Sequence, residues 1–483
     1  MLYMNRTIRK PLLLVLCALL AGCGAATTAQ PPAPAPSSQP RPTLAPQPTP
    51  PALAALAGRT RACDAAAGGQ HSEAAPGQVD QPLVADPAVV HYDDDSNTIE
   101  LRRGAYTTLA AIDVVIKRPE ALKQVASGEW LLAANLRVDA GATLRLAAPE
   151  LRWLKLSSDE RGFVWLKALG GEVALDGVCV SSWDAGRHAY DENYRDGRSF
   201  ILARDGAKLA IARSDLRYLG YNASEAYGLS WRLAGTTGQI VDSFVSHNFY
   251  GLYSFEVSDL VIRGTEAYAN VMYGIDPHTR SNRLVIENNV AHDNGKHGII
   301  LAEECSDGVI RGNVAYGNLH HGIVVYQRSN NNLIEGNVAY GNGGHGINVN
   351  DSASTIVRGN TTYDNLAAGI GVAQGASASQ VVGNAVFANR RDGVALYSDV
   401  RDNLLRDNTI ADNARYGVYV KSEGDQQIQG NRVTGNLVGV YLVANRPPAV
   451  SRDTNTIRDN RSGDLSVVAP AGAPAEEEQH ADD

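Results

Sequence analysis

The chain lacks most of the features that announce the commoner functions. It carries 43 Lys and Arg against 52 Asp and Glu, a formal net charge of −9. No basic stripe of the kind that tracks a nucleic-acid backbone is present. The acidity is concentrated in the tail Glu476 to Asp483 and in Asp93, Asp94 and Asp95, so the body is only mildly acidic. Apolar runs are nearly missing: Leu12 to Leu20 is too short for a stable transmembrane helix, and nothing later could span a bilayer. Cysteine is scarce. With Cys17 and Cys23 set aside in the N-terminal segment, Cys63, Cys179 and Cys305 remain. Three cannot all pair, so at most one disulfide forms, and no metal-type spacing exists. The repeats described below hold no helical period either, which excludes helical repeat arrays.

What is present begins with a targeting segment. Arg6, Arg9 and Lys10 precede the apolar run, and Leu20-Ala21-Gly22-Cys23 follows it. The tetrapeptide resembles a bacterial lipoprotein signal, which implies lipidation at Cys23 and a signal peptide over residues 1–23. The expected location is the bacterial cell envelope, exported to its periplasmic or extracellular side and held by the lipid alone. Residues 24–58 are rich in Pro, Ala, Gln, Ser and Thr and read as an extended tether, at about 3.1 Å per residue where polyproline-like. Residues 59–130 are expected to cap a solenoid, residues 131–467 to form it, and residues 468–483 to be an acidic, unstructured tail.

The solenoid is read from a repeat. Asn289-Val-Ala-His-Asp-Asn294 leads to Gly298-Ile-Ile-Leu301, and Asn313-Val-Ala-Tyr-Gly-Asn318 leads to Gly322-Ile-Val-Val325. The lead Asn recurs at Asn337, Asn360, Asn384, Asn408, Asn431 and Asn455, always 23 or 24 residues on. After the corner Gly, positions +1 and +3 are apolar, so they point inward while +2 and +4 point outward. A second short strand follows stretches such as Asn330-Asn331-Asn332, and a third begins at the lead Asn. Three short strands per 24 residues predict an all-β, three-sheet parallel β-helix of about 22–24 residues per coil, with an N-terminal cap. Stacked coils about 4.8 Å apart turn each repeat position into a column. The two Asn columns read as structural ladders, because Asn tolerates left-handed backbone and bonds neighbouring main chain. The first coil reads as Ala133 to Leu144. Two insertions, Trp183 to Arg198 and Tyr221 to Glu225, are loops where binding residues could gather.

One column is not periodic throughout. The residue before the corner Gly runs Tyr227, Tyr250, Tyr273, His297, His321, His345, then lapses to Ala368, Asp392, Tyr416 and Val438. Seven of the eleven histidines fall within residues 247–345. A structural ladder should run the whole solenoid, so this confinement favours a site over a surface aromatic stack. In the coil of Tyr273 the outward positions are Asp276 and His278, and the inward +3 position is Pro277, where later coils have Leu301, Val325 or Val349. Proline forfeits a ladder donor and is avoided in central strands, so the sequence is shaping something here.

Tyr273-Gly274-Ile275-Asp276-Pro277-His278 resembles the Tyr-Gly-x-Asp-Pro-His signature of the mannuronan (alginate) C5-epimerases, and the resemblance extends over roughly residues 130–460. It implies a right-handed β-helix and a carbohydrate epimerase acting on an anionic uronate polymer. Tyr273 and His278 would form the proton-transfer pair, Asp276 would orient or tune the histidine, and His321 would join the catalytic set. Tyr250, Tyr253, Arg280, Lys296, His297, His320, Arg328 and His345 would bind substrate. Which of the pair is base and which acid stays open, since imidazole serves either role near neutral pH. Two positions depart from the family pattern: Thr279 replaces an Asp or Glu, and His320 replaces an Arg. The resemblance requires no cofactor. It leaves Ca²⁺ open, since acidic groups such as Asp307 and Asp351 lie near turns, although no coordination spacing stands out. A monomer is expected, with no nucleic-acid partner. The same enolate could instead expel the C4 oxygen, as in a polysaccharide lyase, and a tethered β-helix could also bind glycans without catalysis.

Overall fold

The computed structural model describes residues 49–67, 89–451 and 453–470. The expected signal peptide, Cys23, most of the tether and all but the first three residues of the acidic tail lie outside them. Within the described residues the chain winds into a three-sheet parallel β-helix, with sheets of 16, 13 and 17 strands. The first sheet stacks identical repeat positions in register: Ile275 on Ile299, Ile299 on Ile323, Ile323 on Ile347. These isoleucines are fully buried, each stabilising the coil by about 1.5–3 kcal/mol relative to exposure. The inward +1 and +3 assignment therefore holds.

Both Asn columns are ladders. The backbone N–H of Asn289 donates to Asn313 Oδ1 (2.8 Å), that of Asn313 to Asn337 Oδ1 (2.8 Å), and so on to Asn455. Each side-chain amide also donates to the next Asn and to a carbonyl of the preceding corner, as Asn313 does to Ile286. The second column repeats this from Asn270 to Asn460. The left-handed residue, however, is the one before the ladder Asn in the coils from Asn289 to Asn431. Asn288, Gly312, Gly336, Gly359 and Asp407 all have φ near +60°, and Gly, Asn and Asp adopt that conformation most readily. The corner glycine is needed for closeness instead: a Cβ on Gly298 would lie 2.7 Å from Asn318 Nδ2 and from the Gly322 carbonyl.

Three boundaries move. Thr98–Leu101 already pairs in parallel with Asn135–Asp139, and Gly104–Tyr106 with Ala142–Ala147, so the β-helix begins near residue 98 and not at 131. The cap proper is a hairpin, Val90–Asp93 with Thr98–Leu101, and the helix Leu109–Ile116, whose Leu109 and Ile112 close the end of the core. The last part of the expected tether is not extended. Pro51–Leu56 is helical and sets Ala52, Leu53 and Leu56 on Val290, Val314, Tyr316 and Tyr340 of the third sheet. The apolar content of that segment, Ala-Leu-Ala-Ala-Leu, gives it something to bury.

From that helix the strap runs back along the solenoid. Arg61 pairs with Glu266 (2.7 Å) and lies over Tyr268, and Cys63 is bonded to Cys179. Among the described residues Cys305 is the free thiol, buried, with its Sγ donating to the Ala302 carbonyl. Because the disulfide joins residues 116 apart, its reduction is expected to weaken strap docking by on the order of 2–4 kcal/mol. Hydrogen exchange should then quicken over residues 51–67 and stay unchanged over residues 394–434.

The insertion loops pack on the solenoid, and Tyr194 of the longer one reaches Phe249 beside Tyr250. Trp183 and Tyr190 join Trp153 beside the disulfide, with Lys155 Nζ 4.2 Å from the Trp153 ring. Phe163 meets Tyr221. Beneath the strap a second aromatic column runs Tyr268, His292, Tyr316, Tyr340, Tyr363, Phe387, at centroid spacings of 4.7 to 5.3 Å. His247 and His292 belong to this outer ladder, so the histidine enrichment of residues 247–345 has two causes.

Candidate active site

The Tyr/His column forms one continuous stack on the first sheet. Centroid spacings are 4.7 Å for Tyr227 to Tyr250, 5.2 Å to Tyr273, 5.4 Å to His297, 4.9 Å to His321 and 5.1 Å to His345. Each imidazole also takes part in the coil-to-coil bonding. Nδ1 of His297 accepts from the backbone N–H of His321 (3.1 Å), Nδ1 of His321 from that of His345 (2.7 Å), and Nδ1 of His345 from that of Ala368 (3.2 Å). A nitrogen that accepts an amide proton holds a lone pair there, so each neutral ring carries its proton on Nε2. Burial depresses His297 to about 3 and His345 to about 4, and holds His321 well below the usual imidazole range, with neighbouring cations and imidazoles adding to the effect. The three rings are therefore fixed, uncharged N–H donors.

Beside them opens a cleft of about 330 Å³ lined by Tyr273, Asp276, His278, His297 and His321. Ile300, Ala302 and Val324 form an apolar patch in its wall, against which Tyr273 and Tyr326 pack. His321 Nε2 is buried without a hydrogen-bond partner, a donor left for something that enters.

The exceptional coil shapes the cleft's centre. Ile275–His278 keeps full register with Tyr250–Phe255, but toward Ile299–Ala302 only Ile275 and His278 are paired. Pro277 has no N–H for the ladder and sits with Leu260 and Ile262. Asp276 is 1% exposed with Oδ1 unpartnered. Burial, reinforced by Glu303 and opposed by Lys296, holds its carboxyl well above the usual carboxylate range and so favours the protonated form. Asp276→Asn removes that titration. Since the folded-state pKa is raised, the wild type loses stability as pH climbs above about 4. The variant's melting temperature should therefore match wild type near pH 4 and exceed it at neutral pH.

His278 is partly open, its side chain 29% exposed, and stacks on Tyr253 at 5.8 Å. Burial lowers its pKa, Glu303 opposes this and Arg232 adds to it. Its Nδ1 lies 2.7 Å from Thr279 Oγ1, and Thr279 donates to Glu303 Oε2 at 2.7 Å. The expectation that Asp276 would orient the histidine gives way to this contact.

The remaining candidates divide. Tyr250 packs tilted against Tyr273, and Tyr253 is aligned with Asp276; burial raises both phenols above their ordinary range. Lys296 lies over the Tyr273 ring at 5.6 Å, and His320 stands edge-on to His297. His345 ends the stack outside the cleft lining, with Nε2 3.3 Å from the Tyr397 hydroxyl. Arg280 and Arg328 do not line the cleft. They project from exposed turns, paired with Glu256 and Glu304 of the preceding coils. The sequence reading missed Glu303, Tyr326, Asn348 and Asn350 in the lining. Asn348 and Asn350 occupy the same outward +2 and +4 positions as Asp276 and His278, so the alternation rule applied to every coil would have found them. Among the described residues no group of three or more His, Cys, Asp or Glu could hold a metal ion.

Comparison with known proteins agrees with the architecture. The model of the right-handed β-helix region matches residues 193–338, 227–386 and 300–462, together more than half of the chain. The chain belongs to the right-handed β-helix family, and its fold is the right-handed solenoid expected from the sequence. It is similar to the mannuronan C5-epimerase of Pseudomonas aeruginosa, 31% identical over 213 residues, which are 41% of this chain and 38% of that protein. The mannuronan C5-epimerase AlgG of Azotobacter vinelandii is 32% identical over 190 residues, 36% of this chain and 35% of that protein. The matches thus span less than two-fifths of these curated relatives. The crystal structure of the periplasmic alginate epimerase AlgG superposes with a TM-score of 0.63 at 23% identity, covering 68% of this chain and 84% of that one, a likeness of fold.

Proposed function

We propose that the protein is a mannuronan C5-epimerase-like isomerase that removes and returns the C5 proton of uronate residues in an alginate-like polysaccharide. The observation that carries this reading is the meeting, in one cleft, of a solvent-accessible imidazole, a phenol and a bank of fixed neutral donors. The similarity to mannuronan C5-epimerases supports the same assignment.

In this reading His278 is the base, because its Nδ1 is occupied by Thr279 and its other nitrogen is left for the cleft. The rings of His297 and His321 cannot serve, since each lone pair is already held by an amide. Tyr273, from the opposite end of the hexad, returns the proton to the other face. Charge that develops on the substrate carboxylate during C5 ionisation meets neutral donors, the Asp276 carboxylic acid and the Nε2–H of His321, with Lys296 as the nearby cation. Preorganised donors in a desolvated site are usually the largest contribution to such a reaction. A neutral carboxylic acid donating to an enolate is a known device. His278 then releases its proton to solvent and Tyr273 takes one up, which closes the cycle.

We further propose that the protein is exported, anchored by lipid at Cys23 and monomeric, on the strength of Leu20-Ala21-Gly22-Cys23 and the tether behind it. The test of function is incubation with polymannuronate, with NMR of the product and ultraviolet absorbance followed together. Epimerisation yields guluronate without absorbance. Absorbing unsaturated ends would replace the reading by a lyase, and binding without either change would replace it by a glycan-binding scaffold.

A further inference from the structure

We propose that Thr279 and Glu303 are positioning residues that hold the proton of His278 on Nδ1 and so present the bare Nε2 to the cleft. This deepens the reading of His278 as the base and rests on it for its functional consequence. The count of protons fixes the tautomer. Thr279 has a single hydroxyl proton, which it donates to Glu303 Oε2 at 2.7 Å. At 2.7 Å from His278 Nδ1 the same oxygen can then only accept, so Nδ1 must carry the ring proton. Nε2 is left with its lone pair. His278 is thereby the inverse of His297, His321 and His345, whose Nδ1 atoms accept amide protons and whose Nε2 atoms donate. One cleft wall holds both tautomers, each fixed by a different partner.

The backbone supplies an independent sign. Thr279 has φ of +31°, at the corner where the next coils have Glu303 at +58°, Gln327 at +48° and Asp351 at +43°. A β-branched residue is ill suited to the left-handed region, and strained residues of this kind persist where the surroundings require them. Glu303 occupies the equivalent corner one coil on, 24 residues later, so the solenoid's own period brings its carboxylate to the threonine. The charged and titratable groups around the His278 ring are Glu303, Arg232, Tyr253 and, two residues before it, Asp276.

The test compares the full-length protein with T279V, T279S and E303Q, using C5 exchange and ¹⁵N-histidine NMR recorded without substrate. T279V removes the hydroxyl at nearly constant shape; kcat should fall about 10–100-fold, with KM within about twofold. T279S should restore kcat to within about threefold of wild type. E303Q keeps an acceptor oxygen but removes the charge that favours the imidazolium. The acidic limb of the kcat/KM profile, where His278 becomes protonated, should therefore move to lower pH by roughly half a unit to one unit, while T279V leaves the limb in place. In the NMR spectrum His278 should carry its proton on Nδ1 in wild type and shift toward Nε2–H in T279V. A wild-type His278 protonated on Nε2, or a tautomer unmoved by T279V, would overturn the proposal. If the tautomers behave as stated but no variant or wild type exchanges C5, the reaction assigned to the cleft fails and the relay stands.

Discussion

Replacing His278 by asparagine is expected to lower the rate of C5 exchange on polymannuronate by about 10²–10⁴-fold, the range an acid–base group supplies. The fold should tolerate the change. The side chain is partly exposed, its strand neighbour Pro277 faces the core independently, and Ile275 remains registered with both adjacent coils. Affinity for the polymer should change little, because in the proposed reading the carboxylate is held by Asp276 and His321. A variant that kept near-wild-type exchange would show that His278 is not the base, even if the function were right. His321→Leu makes a useful contrast. It removes both an Nε2–H donor in the cleft and the acceptor for the His345 amide, so it should weaken binding and stability together.

The largest effect on stability is expected from Asn337→Ala. Asn337 is fully buried. Its amide donates to the Ile310 carbonyl and to Asn360 Oδ1, and its Oδ1 accepts from the Asn313 backbone and the Asn313 side chain. Truncation leaves several of those groups buried and unpaired, at about 1–3 kcal/mol each, so a loss on the order of 3–5 kcal/mol follows. Surface chemistry two residues away should matter far less. Glu335 bridges Arg311 and Arg358 at 2.8 and 2.6 Å, yet exposed ion pairs contribute about 0–1 kcal/mol. Glu335→Gln should stay within about 0.5 kcal/mol of wild type by denaturant unfolding, and only the Asn337 variant should speed exchange of the Asn313 amide.

The contrast between these two residues explains what was legible in the sequence. Asn337 repeats every 23 or 24 residues because each ladder rung needs its neighbour, so its column, the three strands and the inward isoleucines could be read from spacing alone. Asp276, Pro277 and His278 were visible as the one coil that broke the rule. Glu303 was not. It matters only because its carboxylate reaches back one coil to Thr279, and a single sequence cannot separate such a reach from the Arg280–Glu256 and Arg328–Glu304 pairs, which have the same 24-residue spacing and remain on the surface. The strap was hidden for a different reason. Its proline-rich composition resembles a tether, and only the burial of Ala52 and the Cys63–Cys179 bond reveal that its end is docked. The tautomers of the stacked histidines were also beyond reach, since they depend on which backbone amide each Nδ1 meets.

The central claim is that the cleft between Tyr273 and His321 takes the C5 proton of a uronate and gives one back. The most direct measurement is NMR of polymannuronate incubated with the protein in deuterated water. Deuterium should enter at C5 with guluronate appearing and chain length unchanged, and His278→Asn should slow both by about 10²–10⁴-fold. Retained binding with no deuterium at C5 in the wild type would contradict the claim.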